Sequence, residues 1–308
     1  MGKWRLLAAV SLIAPALVFG YAGVTSYRAI EARATERIER ALDAIQDEVL
    51  GAFQLIRRTI ADTNTELRGL SDDQIRADEA RLSLRLKDLQ GARPQMEAIW
   101  VFDRGGWALV SSTVFPVLRD VSNADRDYFR AHVEQRAALF IGDIVQARVG
   151  TLRFFVVSGR RPESPDGAFN GIVGVTVLPE YFYDLFRGFS DERVSYFGLL
   201  REDGAVLAGY PTMVDHPGRL GAQSEFIRAV QSRSWAGVVT TESKVDGLER
   251  RIGYRLLPGY PVYLQAGIET ADISREIRAT LFRYAAFGLA TALALFGLAV
   301  VGLRRMRR

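Results

Sequence analysis

The longest regular pattern in the chain is a stripe of apolar and small residues that recurs every three or four positions from Tyr27 to Leu70. That spacing puts the stripe on one face of an α-helix, while glutamate and arginine fill the other faces. No proline interrupts this stretch, and Gly51 is its only glycine before Gly69. The pattern predicts one helix of about 65 Å, at 1.5 Å per residue. Such a helix must bury its apolar face on its own domain, on a second copy of the chain, or on both.

Beyond this helix the apolar pattern changes to short runs of strand length. Ser71-Asp-Asp first supplies an N-cap for a second helix, which is predicted to continue to about Leu89. Ala98–Phe102 and the run from Trp107 to Ser112 are then predicted to pair around the turn at 103–106. The elements that follow are predicted to be strands at 139–147, 152–160 and 171–178 and a short helix that Pro179 opens and that ends near 186.

The strand pattern then repeats, which predicts two tandem modules of one type. Residues 101–110 line up with residues 199–208, so that Gly106 matches Gly204, and Phe129 falls close to Phe226 after a similar gap. The repeat is too long for a solenoid unit and predicts an α+β fold with helices against antiparallel sheets. The second set of strands is predicted at 237–242, 250–257 and 262–268, with a last helix capped by Thr270 or Asp272.

Each end of the chain carries an uncharged, almost wholly apolar stretch, from Leu6 to Val24 and from Tyr284 to Leu303. Each stretch is about long enough to cross a bilayer as a helix, which needs about 20 residues. A cleaved signal peptide is the alternative for the first stretch. Its apolar run is longer than a typical signal core, however, and Ala-Gly-Val-Thr-Ser makes a weak cleavage site. We interpret both stretches as transmembrane helices.

Charges beside the two stretches predict their orientation. Lys3 and Arg5 precede the first, and arginines at 304, 305, 307 and 308 follow the second. Because lysine and arginine mark cytoplasmic flanks, residues 27–280 are expected to lie in the periplasm of a two-pass protein of the bacterial inner (cell) membrane. The net charge of +4 owes much to these end clusters and does not indicate nucleic-acid binding. The absence of cysteine excludes disulfides and thiolate metal sites, and no cofactor is predicted.

The run from Asn123 to His132 is the strongest candidate for a binding site. It places Arg126 two and three residues before Tyr128 and Phe129, in a helix for which Ser122 or Asn123 could be the N-cap. A guanidinium beside aromatic rings can hold a small anionic or polar ligand, because the guanidinium supplies paired donors and the rings supply walls. The alternative is that the aromatic residues belong to the core and the charges cap the helix.

The sequence contains little that indicates a catalytic site. The two histidines, His132 and His216, lie far apart in the sequence, and no serine-nucleophile elbow, phosphate-binding loop or zinc-protease motif is present. His132 could donate to a ligand or serve the structure, and His216 is expected in an exposed turn. These residues are therefore predicted to contain no catalytic machinery, and an enzymatic function would have to come from an output outside them.

The order of span, long helix, two mixed modules and span resembles the double Cache sensor family, the tandem PAS-like extracytoplasmic domains of bacterial histidine kinases, diguanylate cyclases and chemoreceptors. The resemblance covers nearly the whole chain. It implies five segments, with ligand binding in the membrane-distal module: a cytoplasmic start and first span at 1–26, long signalling helices at 27–89, a distal module at 90–188, a membrane-proximal module at 189–268, and a second span with a basic end at 269–308. The motifs that carry it are Asp125–Phe129, Ile141–Asp143, Gly171–Val175, Pro179–Phe182, Arg201–Gly204 and Pro258–Pro261.

The resemblance also implies a ligand site with one departure from the family pattern. In the amino-acid-binding branch a tyrosine precedes the arginine by five residues, and a later aspartate holds the ligand's ammonium group. Here those positions carry Val121 and Thr176, so the carboxylate half of the motif is present and the ammonium half is missing. The predicted ligand-binding residues are Arg126, Tyr128, Phe129, His132, Asp143, Arg153 and Thr176.

The expected function is that of a membrane-anchored sensor, which binds a small, anionic or polar metabolite outside the cell and signals across the membrane. Its expected partners are the ligand, the membrane, a second copy in a homodimer paired along the long helix, and a cytoplasmic output in the same or another chain, with no nucleic acid. The alternative is a ligand-free scaffold or partner-binding membrane module, whose distal pocket is filled by its own side chains.

Overall fold

The computed structural model describes residues 2–305 except 149, 165–166, 212–217, 233 and 244–245, and at the two ends it describes only the backbone of 2–8 and 303–305. His216 therefore lies outside the described residues. The described part forms seven helices and eleven strands. The helices are α1 Gly2–Glu66, α2 Asp72–Ala77, α3 Glu79–Gln90, α4 Asp127–Glu134, α5 Pro179–Phe189, α6 Glu225–Gln231 and α7 Thr270–Arg305. The strands are β1 Ala98–Phe102, β2 Ala108–Ser111, β3 Leu139–Ile141, β4 Val145–Gln146, β5 Arg153–Arg160, β6 Ile172–Val177, β7 Tyr196–Arg201, β8 Val206–Tyr210, β9 Ala236–Glu242, β10 Glu249–Leu256 and β11 Val262–Glu269.

The strands form two antiparallel sheets with the same strand order, which confirms the predicted α+β fold with two PAS-like modules. The first sheet runs β2-β1-β6-β5-β3, with β4 also paired to β5, and the second runs β8-β7-β11-β10-β9. We call them the distal and the proximal sheet. Gly106 and Gly204 occupy equivalent turns with φ values of +78° and +87°, and each donates to the residue three positions before it. The repeated sequence thus encodes a repeated hairpin.

Helix α1 joins the two modules, because its apolar stripe lies across both sheets. It contacts β5 and β6 of the distal sheet and β10 and β11 of the proximal sheet. The stripe that suggested a homodimer is therefore covered by the chain itself, which removes the observation behind that prediction. The dimer itself stays a prediction. The covered residues are at most 5% exposed: Ile30, Ala34, Ile38, Leu42, Ile45, Val49, Phe53, Ile56 and Ile60.

Two elements differ from the predicted ones because tertiary contacts interrupt them. The predicted second helix is divided at Asp78, after which Glu79 turns inward and accepts a hydrogen bond from the Val117 amide at 2.7 Å. The predicted strand at 139–147 is broken into β3 and β4 because the Asp143 amide leaves the ladder and donates to the Asp127 carboxylate at 2.6 Å.

The predicted N-cap of α4 is wrong, because the helix begins later than expected. Arg126 is the N-cap and Asp127 the first helical residue. The Ser122 hydroxyl instead donates to the β1–β2 turn at 2.8 Å, and the Asn123 side chain accepts from the Tyr128 hydroxyl at 3.1 Å. This later start places the Arg126 side chain at one edge of the distal sheet, beside β4.

The two end helices pack side by side and antiparallel. The Ser26 hydroxyl donates to the Tyr284 hydroxyl at 3.1 Å, and Arg37 forms an ion pair with Glu276 at 3.3 Å. Both helices contain a window long and apolar enough to cross a membrane, with 11% and 6% of each window buried. These apolar windows are thus left largely uncovered by the described protein.

Candidate functional site

The distal sheet uses its two faces differently: one packs on α1, and the other carries an open cavity of about 460 Å³. Strands β1, β6 and β5 form the floor of this cavity. The loop at 113–121 covers it, and one side is closed by the start of α4 together with Ala147, Arg148 and Leu152. Cavities of this size and position commonly hold small ligands.

The floor is an apolar trough. On β1, Trp100 and Phe102 stack with ring centroids 6.1 Å apart and planes 14° apart. The central strand β6 contributes only the small residues Gly174 and Thr176, and Phe154 on β5 forms part of the far wall. Since alternate residues of a strand share a face, these side chains all point to the side away from α1.

Arg126 is the principal charge of the cavity. Its Nη2 donates to the backbone carbonyl of Gln146 at 3.0 Å, whereas its Nε is buried and has no hydrogen-bond partner. A buried donor without a partner costs free energy, about 1–3 kcal/mol or more for a charged group. An anionic group in the cavity would remove this cost.

The acids nearest to Arg126 in the sequence are engaged elsewhere. Asp125 pairs with Arg148, and Asp127 accepts from backbone amides of its own turn and of Asp143. Asp143 in turn pairs with Arg201 at 2.7 Å. Within the described residues, Arg126 forms no ion pair, so it does not hold the loop through a salt bridge.

The cavity brings together three of the seven predicted ligand-binding residues, namely Arg126, Tyr128 and Thr176. Tyr128 is buried, which raises its pKa to about 12, and its protonated hydroxyl donates to the Asn123 side chain at 3.1 Å. Val121, the position that the family pattern gives to tyrosine, also lines the cavity. Their ligand contacts stay a prediction.

Phe129 and His132 lie outside the cavity lining, contrary to the prediction. The helical turn of α4 directs Phe129 into the core, where its ring meets that of Phe169 edge-on at 5.6 Å. His132 is fully buried and bonds the Ala137 carbonyl at 2.7 Å and the Ser158 hydroxyl at 2.8 Å. Burial lowers the pKa of His132, so it is a neutral structural residue.

Asp143 and Arg153 are also absent from the cavity lining. Asp143 is turned toward the proximal module, where Arg201 and Arg219 both donate to it. Arg153 begins β5 and pairs with Gln146, at the side of the sheet where β4 attaches. Strand alternation explains Arg153, because its neighbour Phe154 points to the cavity face, whereas Asp143 lies between β3 and β4 and outside the ladder.

The aromatic floor was not anticipated from the sequence, although a signal for it exists. Trp100 and Phe102 are two apart in β1, whereas Ile99 and Val101 point to the opposite face, in the core cluster that α1 and α3 share. A strand that is apolar on both faces needs other parts of the protein to cover both of them. The exposed apolar loop residues Val114 and Leu118 lie above that face.

On the equivalent face of the proximal sheet, aromatic rings of the described residues pack on one another. Phe226 meets Tyr254 and Tyr263 edge-on, with centroids 5.6 and 5.4 Å apart. By the shared strand register, Tyr254 and Gln265 stand where the distal sheet has Ser158 and Gly174. The scaffold alternative concerns the distal pocket, which is an open cavity among the described residues.

Comparison with solved structures defines the class of protein to which this fold belongs. The extracellular domain of rpHK1S-Z16, assigned as a histidine kinase, is 27% identical over 77% of this chain and 95% of that chain, with a TM-score of 0.62. The ligand-binding domain of the Campylobacter jejuni chemoreceptor Tlp3, in complex with 4-methylisoleucine, is 12% identical over 79% and 94%, with a TM-score of 0.57. That of the Pseudomonas aeruginosa PAO1 amino acid chemoreceptor PctB, in complex with L-Gln, is 13% identical over 78% and 91%, with a TM-score of 0.54.

These similarities confirm the predicted resemblance to double Cache sensor domains at the level of the fold. The chain has the fold of the extracellular ligand-binding domains of histidine kinases and chemoreceptors, and these similar structures are sensor domains rather than catalytic ones. No protein-family model and no curated protein matches the chain. The two chemoreceptors are similar in fold alone.

Proposed function

We propose that the chain is a membrane-anchored extracytoplasmic sensor, which binds a small anionic or polar metabolite in the distal cavity and transmits the signal across the membrane. The observation that carries this proposal is the buried, unpartnered Nε of Arg126 at the edge of an open cavity. The scaffold alternative requires that the protein's own side chains fill the distal pocket. The open trough therefore favours the sensor function over the scaffold. A ligand can shift the protein only by its preference for one of two states.

The Arg126 side chain is the first test of this function. Arg126→Gln in the 308-residue chain, purified in detergent, is expected to weaken the binding of small carboxylates about 30-fold or more, because the charge-assisted hydrogen bonds are lost. The melting temperature without ligand should stay within about 1 °C, because the described contact of Arg126 is one bond to a backbone carbonyl. Titration calorimetry and thermal shift measure both quantities.

Arg130→Gln is the matched control. Arg130 lies on the same helix, is exposed and pairs with Glu134 at 2.9 Å, so its loss should leave carboxylate binding unchanged. If Arg126→Gln instead lowers the melting temperature without ligand and binding persists, Arg126 has a structural role and the proposal is wrong.

The membrane topology is part of the proposal. Two uncovered apolar helices that run antiparallel, together with basic residues at both ends, support a two-pass inner-membrane protein with residues 27–280 in the periplasm. A reporter that is active only outside the cytoplasm should work when fused at the exposed Glu163. An active cytoplasmic reporter at the same position would refute the topology.

The remaining predictions belong to the same proposal. The proposed domains of the chain are the five segments 1–26, 27–89, 90–188, 189–268 and 269–308. The proposal also includes a homodimer and a cytoplasmic output in this or a partner chain. The antiparallel contact of α1 with α7 supports a route for the signal, since both helices leave the proximal module toward the membrane.

A further inference from the structure

We infer that the ligand of the distal cavity is an aromatic monocarboxylate that carries no ammonium group beside its carboxylate. This inference rests on the proposed function and narrows it from small polar metabolites to one chemical class. Three features carry it: the shape of the trough, the position of the cation and the chemistry of the lining.

The trough has the shape of a flat ring. Trp100 pairs across the ladder with Gly174, and Gly174 pairs with Ser158, so a bulky wall stands beside two small residues. A Cβ added to Gly174 would lie 2.9 Å from the Val156 side chain and 3.9 Å from the Phe102 ring. Glycine therefore leaves a space in the floor that any larger residue would fill. A planar ring fits over this floor beside the stacked rings of β1, where aromatic pairs prefer offset or edge-on contact.

The size of the cavity agrees with a ring and a short side chain. Its volume of about 460 Å³ equals that of about 15 water molecules at about 30 Å³ each. A two- or three-carbon acid would leave most of this apolar space hydrated. The apolar roof residues Val114 and Leu118 are 36% and 55% exposed, so they have apolar surface left to place against a ring.

The lining favours a carboxylate and disfavours an adjacent ammonium group. Arg126 has the free Nε, whereas Arg148 is neutralised by Asp125. Among the described lining residues the only acid is Glu97, which is exposed at the rim before β1. Thr176, on the floor and 4% exposed, offers a hydroxyl and no charge. Burying an ammonium group without an acidic partner costs several kcal/mol, so an α-amino acid is disfavoured here.

Three ligands that differ by one group test the inference on the full chain in lipid nanodiscs. The compound 3-phenylpropanoate has the ring and the carboxylate, L-phenylalanine adds only the ammonium group, and propanoate lacks only the ring. Titration calorimetry is expected to show 3-phenylpropanoate binding at least 30-fold more tightly than either of the others.

Thr176→Asp adds the missing acid and should reverse the preference in favour of L-phenylalanine. Thr176→Asn, which has the same shape without the charge, should retain the preference for 3-phenylpropanoate. Tighter binding of L-phenylalanine or of propanoate to the unaltered chain would overturn the inference while leaving the sensor function intact. Failure of all three carboxylates to bind would also overturn the inference.

Discussion

Replacing Gly171 by alanine is expected to destabilise the chain by about 4 kcal/mol or more, which is a large part of the stability of an ordinary domain. Gly171 has φ +94° and lies against the end of β1, so that an added Cβ would sit 2.1 Å from the Phe102 carbonyl oxygen and 2.7 Å from the Asp103 carbonyl carbon. Both neighbours are backbone atoms that cannot rotate away. The start of β6 would have to leave the sheet, and chemical denaturation of the chain in detergent measures the loss.

Gly69→Ala is the matched control for this prediction. Gly69 has a similar φ of +79°, but no atom lies within 4 Å of its added Cβ. Its replacement should therefore cost only the left-handed strain, about 1–2 kcal/mol. Equal losses at the two positions would mean that the close contact at Gly171 relaxes freely.

Replacing Arg201 by methionine is expected to cost about 3 kcal/mol, because it removes the centre of a charge cluster between the two modules. The Arg201 side chain is 8% exposed. It donates to the Ile141 carbonyl at 2.6 Å and to both Asp143 and Asp203 at 2.7 Å. Methionine keeps the apolar stem but leaves the buried carbonyl unpaired. Denaturant titration of both proteins gives the difference.

Arg228→Met provides the comparison for a solvent-exposed pair. Arg228 and Glu225 are both about half exposed, so their ion pair should contribute less than about 0.5 kcal/mol. If Arg201→Met changes the stability no more than this control, the cluster does not hold the modules together.

The same cluster predicts a pH dependence. Burial alone would raise the pKa of Asp203, but the hydrogen bonds from Arg201 and Arg219 outweigh it and hold this pKa well below the usual 3.8. Its stabilising contribution is therefore present above pH 3.8 and is lost as the pH falls below that value. Burial raises the pKa of Asp127, which acts in the opposite sense. Arg201→Met should flatten the net loss of stability in acid.

Elements set by local pattern could be predicted from the sequence, whereas those set by distant contacts could not. The helical spacing from Tyr27 onward and the repeated glycine turn are local, and both have the expected form. The start of α4 and the break before β4 depend on where Ser122 and Asp127 find partners elsewhere in the fold. The spacing of residues along the chain does not indicate which distant residues will contact one another.

The candidate site was predictable to the extent that a motif fixes the direction of a side chain. Arg126, Tyr128 and Thr176 line one cavity, and their contact with a ligand stays a prediction. Phe129 turns into the core because it lies about 100° around the helix from Tyr128, whereas His132, one turn after Tyr128, is buried by its bonds to Ala137 and Ser158. The trough made by Trp100 and Gly174 depends on strand pairing across residues more than 70 positions apart, which a single sequence does not show.

The shared helix α1 also has a consequence for how the molecule unfolds. Its buried stripe has partners on both sheets, and each buried isoleucine or leucine contributes about 1.5–3 kcal/mol. If either sheet detached, its half of the stripe would be exposed to water while the helix itself remained intact. We therefore expect the two modules to unfold as one cooperative unit, in spite of their separate sheets and repeated sequence. A substitution under one sheet should then lower the stability of the other, and exchanging a module should require exchanging its length of α1 as well.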